Sequence, residues 1–272
     1  DRITNLGALL LAKDLREFES LQRKAVRVVK YKGKNKLDTE RDLIGQKGYA
    51  VGFEGLISYI NGQLPMNEVI GQALREEVRM FPELAIRELV ANALVHQDFD
   101  ETGGSVMIEI YTDRVEITNP GQPLIPTERF VDEYKSRNEK LADLMRRMGI
   151  CEEKGSGIDK VVSSTEHYQL PAPYVRVSPM HTSVSLYAHK DFSDMEPVER
   201  VRACYLHCCL KYVSNEKMTN QSLRERFKLE DTRAKIASVS QIIAATVSQG
   251  LIKLDDPENA SKRYSKYVPF WV

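Results

Sequence analysis

PELAIRELVANALVHQD, residues 82–98, carries the clearest periodic pattern in the chain. It predicts one helix. Pro82 suits a first helical turn, and Glu83 suits the positive end of the helix dipole. Ile86, Leu89, Val90, Ala93 and Leu94 recur at helical spacing and define an apolar face. Glu88, Asn92 and His96 lie four residues apart. Each step of four overshoots a turn by roughly 40°, so the three form one polar row beside that face. A carboxylate, an amide and an imidazole in a row can orient a water, hold a metal ion and touch a phosphate. The same row is also what an ordinary solvated helix face looks like, and the downstream sequence has to separate the two.

Val106, Ile108 and Ile110 alternate, as do Val115 and Ile117 beyond the Thr112-Asp113-Arg114 turn, which predicts a hairpin with one buried face. It ends at Asn119-Pro120-Gly121. Residues 121–136 have little periodicity and read as a loop. Arg137-Asn138 opens a helix to Met148, with Leu141, Leu144, Met145 and Met148 on one side and Gly149 as its stop. Gly155-Ser156-Gly157 opens the next helix, Ile158 to His167. Free N–H groups, a close backbone approach and the helix dipole together make such a start an anion site, although Gly-x-Gly and Asn-Pro-Gly are also common turns. After a Pro-rich break at Leu170–Pro173, Tyr174–Ser178 and Ser183–Tyr187 read as strands. The centre of the chain is therefore expected to be α+β: helices with a mostly antiparallel sheet, in an α/β sandwich.

Upstream, Thr4-Asn5 caps an apolar helix and Lys24–Tyr31 alternates as a strand, followed by a basic turn at Lys30–Lys36. Helices are expected at Gly48–Ile60 and Met66–Met80. This opening shows no complete core of its own and reads as the tail of an upstream domain. Downstream, His189–Pro197 is a polar linker. Val198–Tyr212, a short helix capped by Thr219, and Asp231–Ser248 then precede strands at Leu251–Leu254 and Tyr264–Phe270. Three helices and a hairpin are the winged-helix plan.

The 272 residues carry a formal net charge of zero, a length for one large or two smaller domains. No run of eighteen apolar residues and no signal-peptide pattern occurs, so a cytoplasmic protein with no membrane partner is expected. Cys204, Cys208 and Cys209 lie with His207 in an apolar helical run, and Cys151 stands alone. Without a second ligand pair these read as buried thiols in a reducing compartment rather than a zinc site. From Arg200 to Val272 there are 13 Lys and Arg against 7 Asp and Glu, so a module carrying a surplus of six positive charges follows a body with the matching negative surplus. That asymmetry points toward nucleic acid.

The polar row, the hairpin ending in Asn119-Pro120-Gly121, Arg137-Asn138 and Gly155-Ser156-Gly157-Ile158, in this order, resemble the GHKL (Bergerat-fold) ATPases: gyrase, histidine kinases, the mismatch-repair ATPase and the heat-shock chaperone. The chain looks most like the bacterial RecG-like branch of transcriptional regulators, in which a Schlafen-type AlbA-like domain precedes the ATPase fold and a winged helix follows. The resemblance implies the end of an AlbA-like domain at 1–62, a GHKL ATPase-like domain at 63–190 and a winged helix at 197–272. It implies ATP and Mg²⁺ as ligands. Glu88 would polarise the attacking water, Asn92 would hold Mg²⁺, and His96 would lie near the phosphates. Asn119 would read the adenine amino group beside Gly121. Asn138 would join the nucleotide site, Gly155, Ser156 and Gly157 would wrap the phosphates, and residues 122–154 would form a lid. Asn119 stands where the wider superfamily has aspartate, so the bond to adenine loses its charge assistance. The usual second glycine is also absent, since Pro123 follows Gln122. No Gly-x-x-x-x-Gly-Lys-Ser/Thr stretch occurs, so the resemblance implies no helicase motor.

In the C-terminal module the third helix would meet double-stranded DNA through Thr232, Arg233, Lys235, Ser238 and Gln241, with Lys262, Arg263 and Lys266 near the wing. The leading expectation is a nucleotide-responsive transcriptional regulator. Beside it stand an ATP-hydrolysing enzyme with Glu88 as general base, and a degenerate fold serving as an interaction scaffold. A homodimer is expected by analogy alone.

Overall fold

The computed structural model describes residues 3–70, 75–101, 103–151, 156–258 and 265–272, with only the backbone of 66–70 and 75–79. It is a mixed α+β structure with eight α-helices among the described residues and a six-stranded, mostly antiparallel sheet. The chain divides into two compact units, one of residues 1–161 with 173–188, the other of 162–172 with 189–272.

In the first unit, Thr4 accepts the Gly7 N–H and starts α1 (Asn5–Leu11). Strands β1 (Arg27–Tyr31) and β2 (Thr39–Ile44) follow, then α2 (Tyr49–Gln63). Residues Met66–Ile70 and Arg75–Arg79 are strands β3 and β4, paired antiparallel from Met66↔Arg79 to Ile70↔Arg75. The helix expected over Met66–Met80 is thus corrected to a hairpin. Gly71 would cost a helix interior about 1 kcal/mol, and the cross-strand ladder supplies pairing that local helical propensity does not register.

The quoted stretch forms α3 (Glu83–His96), with Ile86, Leu89, Val90, Ala93 and Leu94 all buried. Then come β5 (Met107–Ile110), β6 (Arg114–Pro120), α4 (Glu139–Arg147), α5 (Gly157–His167), β7 (Tyr174–Val177) and β8 (His181–Tyr187). The sheet order is β2-β1-β5-β6-β8-β7, with β1 parallel to β5 and every other pair antiparallel. Residues 27–44, which the sequence suggested as the tail of an upstream domain, therefore run in the same sheet as residues 107–187.

The register explains the alternation. Val28, Ile108, Ile117 and Val184 form one cross-strand row on the face that meets α3, and Ile110, Val115 and Leu186 form the next. On the opposite face Glu109 stands across from Glu116. Two adjacent buried carboxylates need counter-charges, and they have them. Glu109 takes the Tyr31 hydroxyl at 2.9 Å and the Lys36 ammonium at 2.6 Å, while Glu116 takes Arg114 Nε at 2.6 Å. Tyr31 and Tyr111 stack beside them, ring centres 4.9 Å apart.

In the second unit, a Glu196–Glu199 capping box starts α6 (Pro197–Val213), Thr219 caps α7 (Asn220–Arg226) and Thr232 caps α8 (Arg233–Ser248). Strands β9 (Ile252–Leu254) and β10 (Tyr267–Pro269) pair antiparallel. Cys204, Cys208, Met218, Leu223 and Val239 are fully buried in its core, and all four cysteines are free. Burial pushes the Cys204 thiol up to about 12. His207 is buried and lies between the Glu166 carboxylate at Nδ1, 3.0 Å away, and the Ser222 hydroxyl at Nε2, 3.2 Å away. Glu166, near the end of α5, is thereby fastened to both α6 and α7.

Candidate functional site

Glu88 is only 5% exposed although it belongs to the polar row, because α5 begins directly against it. A Cβ added to Gly157 would stand 2.9 Å from Glu88 Oε2, 3.4 Å from Asn92 Nδ2 and 3.7 Å from Asn92 Oδ1. A side chain at this position would displace the Glu88 carboxylate, so glycine lets the first turn of α5 sit against both side chains as they stand. The result is a cleft of about 120 Å³ whose walls include Glu88, Asn92 and His96 from α3, Asn119 and Thr182 from the sheet, and Gly157 and Ile158 from α5. Residues between Gln122 and Lys135 line the remaining side.

Asn119 and Thr182 are register partners on β6 and β8. The Asn119 amide donates to the Pro120 carbonyl at 3.0 Å, and its oxygen is the side chain's acceptor. Thr182 donates to the Gly121 carbonyl at 2.8 Å. Gly121 adopts φ +90°, and a Cβ there would meet Asp98 Cβ at 2.6 Å. Its conformation and its neighbour both demand glycine, directly after the end of β6.

Burial raises the Glu88 carboxyl above its ordinary value, while the charges of Lys160 and Arg87 pull the other way. Burial also lowers the His96 imidazole to about 4, helped by the nearby Arg137 charge, so the ring is neutral at physiological pH. The His96 ring meets Tyr134 edge-on, centres 5.9 Å apart. Cys151 lines the same cleft, its thiol raised by burial and then by the Glu88 charge. In the first turn of α5, burial and the charge of Asp132 lift the Asp159 carboxyl to about 6. Among the described residues no group of three or more His, Cys, Asp or Glu is placed to hold a metal ion.

The structure brings together Glu88, Asn92, His96, Asn119 and Gly157. It does not bring Asn138 to them. Both Asn138 amide hydrogens go to carbonyls at the end of α3, Val95 and Gln97, each at 2.8 Å. Those carbonyls are among the unsatisfied acceptors of a helix terminus, so Asn138 closes off α3 rather than lining the cleft. Ser156 precedes α5, and its carbonyl accepts the Lys160 N–H at 3.1 Å. Gly155 lies outside the described residues, as do Lys262 and Arg263.

On α8, Arg233 and Gln241 are exposed two turns apart. Lys235 lies over the Phe192 ring, 5.6 Å from its centre. Ser238 bonds back to the Ala234 carbonyl, and the Thr232 hydroxyl accepts the Lys235 N–H. Lys266 is exposed. Sequence reasoning missed Thr182, Cys151 and the ion pair between Asp98 and Arg137 at 2.8 Å. Thr182 reaches the cleft through cross-strand register, and the ion pair joins positions 39 apart. Neither has a local signal, although both charged residues lie in stretches already singled out, residues 82–98 and Arg137-Asn138.

Residues 103–186 match a family model described as "Putative ATP-dependent DNA helicase recG C-terminal". This stretch is similar to a RecG-like ATPase-type domain and includes Asn119, Gly121 and Gly157, while α3 lies outside it. No curated protein gives a significant match. Among solved structures, the chain is similar in fold to the DIP2311 protein from Corynebacterium diphtheriae, with a TM-score of 0.58 and 19% identity over 97% of this chain. This chain spans 56% of that protein's length.

Proposed function

We propose that the cleft binds ATP with Mg²⁺ in the GHKL manner, and that residues 197–272 form a winged helix that binds double-stranded DNA. The chain would then act as a nucleotide-responsive transcriptional regulator. The observation supporting the nucleotide half is the approach of Gly157 to Glu88 and Asn92, which presents a helix N-terminus to a buried carboxylate and an amide. Residues from three separate elements fit the proposed ligand. The start of α5 with Gly157 would hold phosphate. Asn92 would hold Mg²⁺, and the Asn119 oxygen would accept from the exocyclic amino group of the base. Mg²⁺ supplies charge neutralisation at the phosphates when bound. The words ATP-dependent in the matched family description accord with the nucleotide half, since the match lies within residues 103–186.

The DNA half is supported by the basic surplus of the C-terminal sequence and by the exposure of Arg233 and Gln241 on α8. ATP hydrolysis is the second reading. It is favoured by Glu88, a buried carboxylate whose raised proton affinity suits a general base.

Calorimetric titration with a non-hydrolysable ATP analogue and Mg²⁺ tests the nucleotide half. Saturable binding that loses its Mg²⁺ dependence in Asn92→Ala is expected. Absence of heat in the wild-type protein sinks the proposal and leaves the scaffold reading. Salt-dependent duplex binding, weakened in Arg233→Ala and changed by the analogue, tests the regulatory half.

A further inference from the structure

Residues 122–137 leave β6, border the cleft and return to α4, and both ends of this segment are fastened to the same short stretch of chain. At the outgoing end, the Asp98 N–H donates to the Pro120 carbonyl at 2.9 Å, and Gly121 packs on the Asp98 side chain. At the returning end, Arg137 Nη1 donates to Asp98 Oδ2 at 2.8 Å, and Arg137 Nη2 donates to the Gln122 carbonyl at 2.6 Å. Asn138 then binds the Val95 and Gln97 carbonyls. One guanidinium thus joins residue 122 to residue 137 and ties both to the end of α3. The ion pair is largely sheltered, its side chains 23% and 24% exposed. Such a charge-assisted pair is stronger than a surface one. Between the fastened ends, Ile125, Phe130 and Tyr134 face the cleft.

We infer that Arg137 is a positioning residue, which staples the two ends of the 122–137 segment so that the segment opens over the cleft only when the Asp98–Arg137–Gln122 junction lets go. A closed Ω-like loop with its stem pinned has few open conformations, so the stem sets how often a bound ligand can leave. The effect on ligand exchange rests on the nucleotide reading above. The stapling of the segment does not.

The test is limited trypsin digestion of the full chain, with mass spectrometry of cleavage after Arg129 and Lys135, in wild type, Arg137→Ala and Arg137→Lys. Loss of two hydrogen bonds from a charged donor corresponds to at least a tenfold rise in local opening. Arg137→Ala is therefore expected to be cut about tenfold faster at both positions with its thermal midpoint unchanged. Arg137→Lys, which keeps the charge but cannot reach both acceptors, should fall between. In parallel, a fluorescent ATP analogue should dissociate faster from Arg137→Ala by a similar factor. Equal cleavage rates in the two proteins overturn the inference. If Arg137→Ala fails to fold, Asp98→Asn decides in its place by the same cleavage ratio. If the wild-type protein binds no analogue, the nucleotide reading fails, and the cleavage ratio still decides the staple.

Discussion

A methyl group on Gly157 would stand 2.9 Å from a carboxylate oxygen of Glu88, closer than real Cβ contacts come. Alanine ordinarily favours a helix over glycine by roughly 0.5–1 kcal/mol. At this position that gain is set against a displaced carboxylate. Gly157→Ala should melt within about 3 °C of the wild type yet bind an ATP analogue roughly tenfold more weakly, because the α5 start no longer meets Glu88 and Asn92 in register. Calorimetry beside a thermal melt separates the two effects. Unchanged affinity would remove Gly157 from the site.

Glu88→Gln keeps the shape of the side chain and removes its capacity to accept a proton. Analogue binding should survive within about threefold, while any phosphate release by the wild-type protein should fall by about 10²–10⁴, the usual share of general base catalysis. A coupled phosphate assay over several hours reads this directly. Equal turnover in the two proteins would rule out the assigned base.

Asp159 is held protonated to about 6 by burial and by Asp132, against an ordinary value of 3.8. Between those values the folded state binds the extra proton, so this group loses stability as pH rises through the window. Asp159→Asn should therefore stabilise the protein at pH 7, by about 1–3 kcal/mol, and give no advantage near pH 4. Urea denaturation at both pH values provides the comparison.

His96 works in the opposite sense. Its folded value is lowered to about 4 from 6.5, so the unfolded chain binds more protons in between. Its contribution is complete above about pH 6.5 and is lost as the pH falls toward 4, at a cost of about 1–3 kcal/mol. Replacement by Gln should flatten that acid limb. The slopes of His96 and Asp159 oppose each other over an overlapping window, so the two single variants are needed to resolve them. A His96→Gln protein as acid-sensitive as the wild type would contradict the assignment.

Elements with a strong local period were legible from residues alone. α3, the β5–β6 hairpin and the helix at 197–213 each announce themselves within fifteen residues or so, through apolar spacing and their end signals. Glu88, Asn92 and His96 followed from α3 by simple geometry. What escaped depends on pairing across distance. The β3–β4 hairpin has helix-forming composition, and only its cross-strand ladder shows it as strand. β2 escaped because all six of its residues are exposed and leave no alternating pattern. Asn138 belongs to the Arg137-Asn138 motif that carries the resemblance, and its two amide hydrogens are spent on the carbonyl end of another helix, a pairing across distance with no local sign.

The parallel pairing of β1 with β5 matches Arg27 with Met107, 80 residues further on. At a translation rate of about 5–20 residues per second, the first two strands would wait roughly 4–16 s for their partner to emerge. Two strands alone are marginal in water, so the β1 edge lacks its β5 partner throughout that wait. A fragment beginning at residue 63 would face the reverse problem, with the unpaired margin of β5 open to strand capture and precipitation. Soluble expression of the central region is therefore expected to need the strand at residues 27–31 that covers β5.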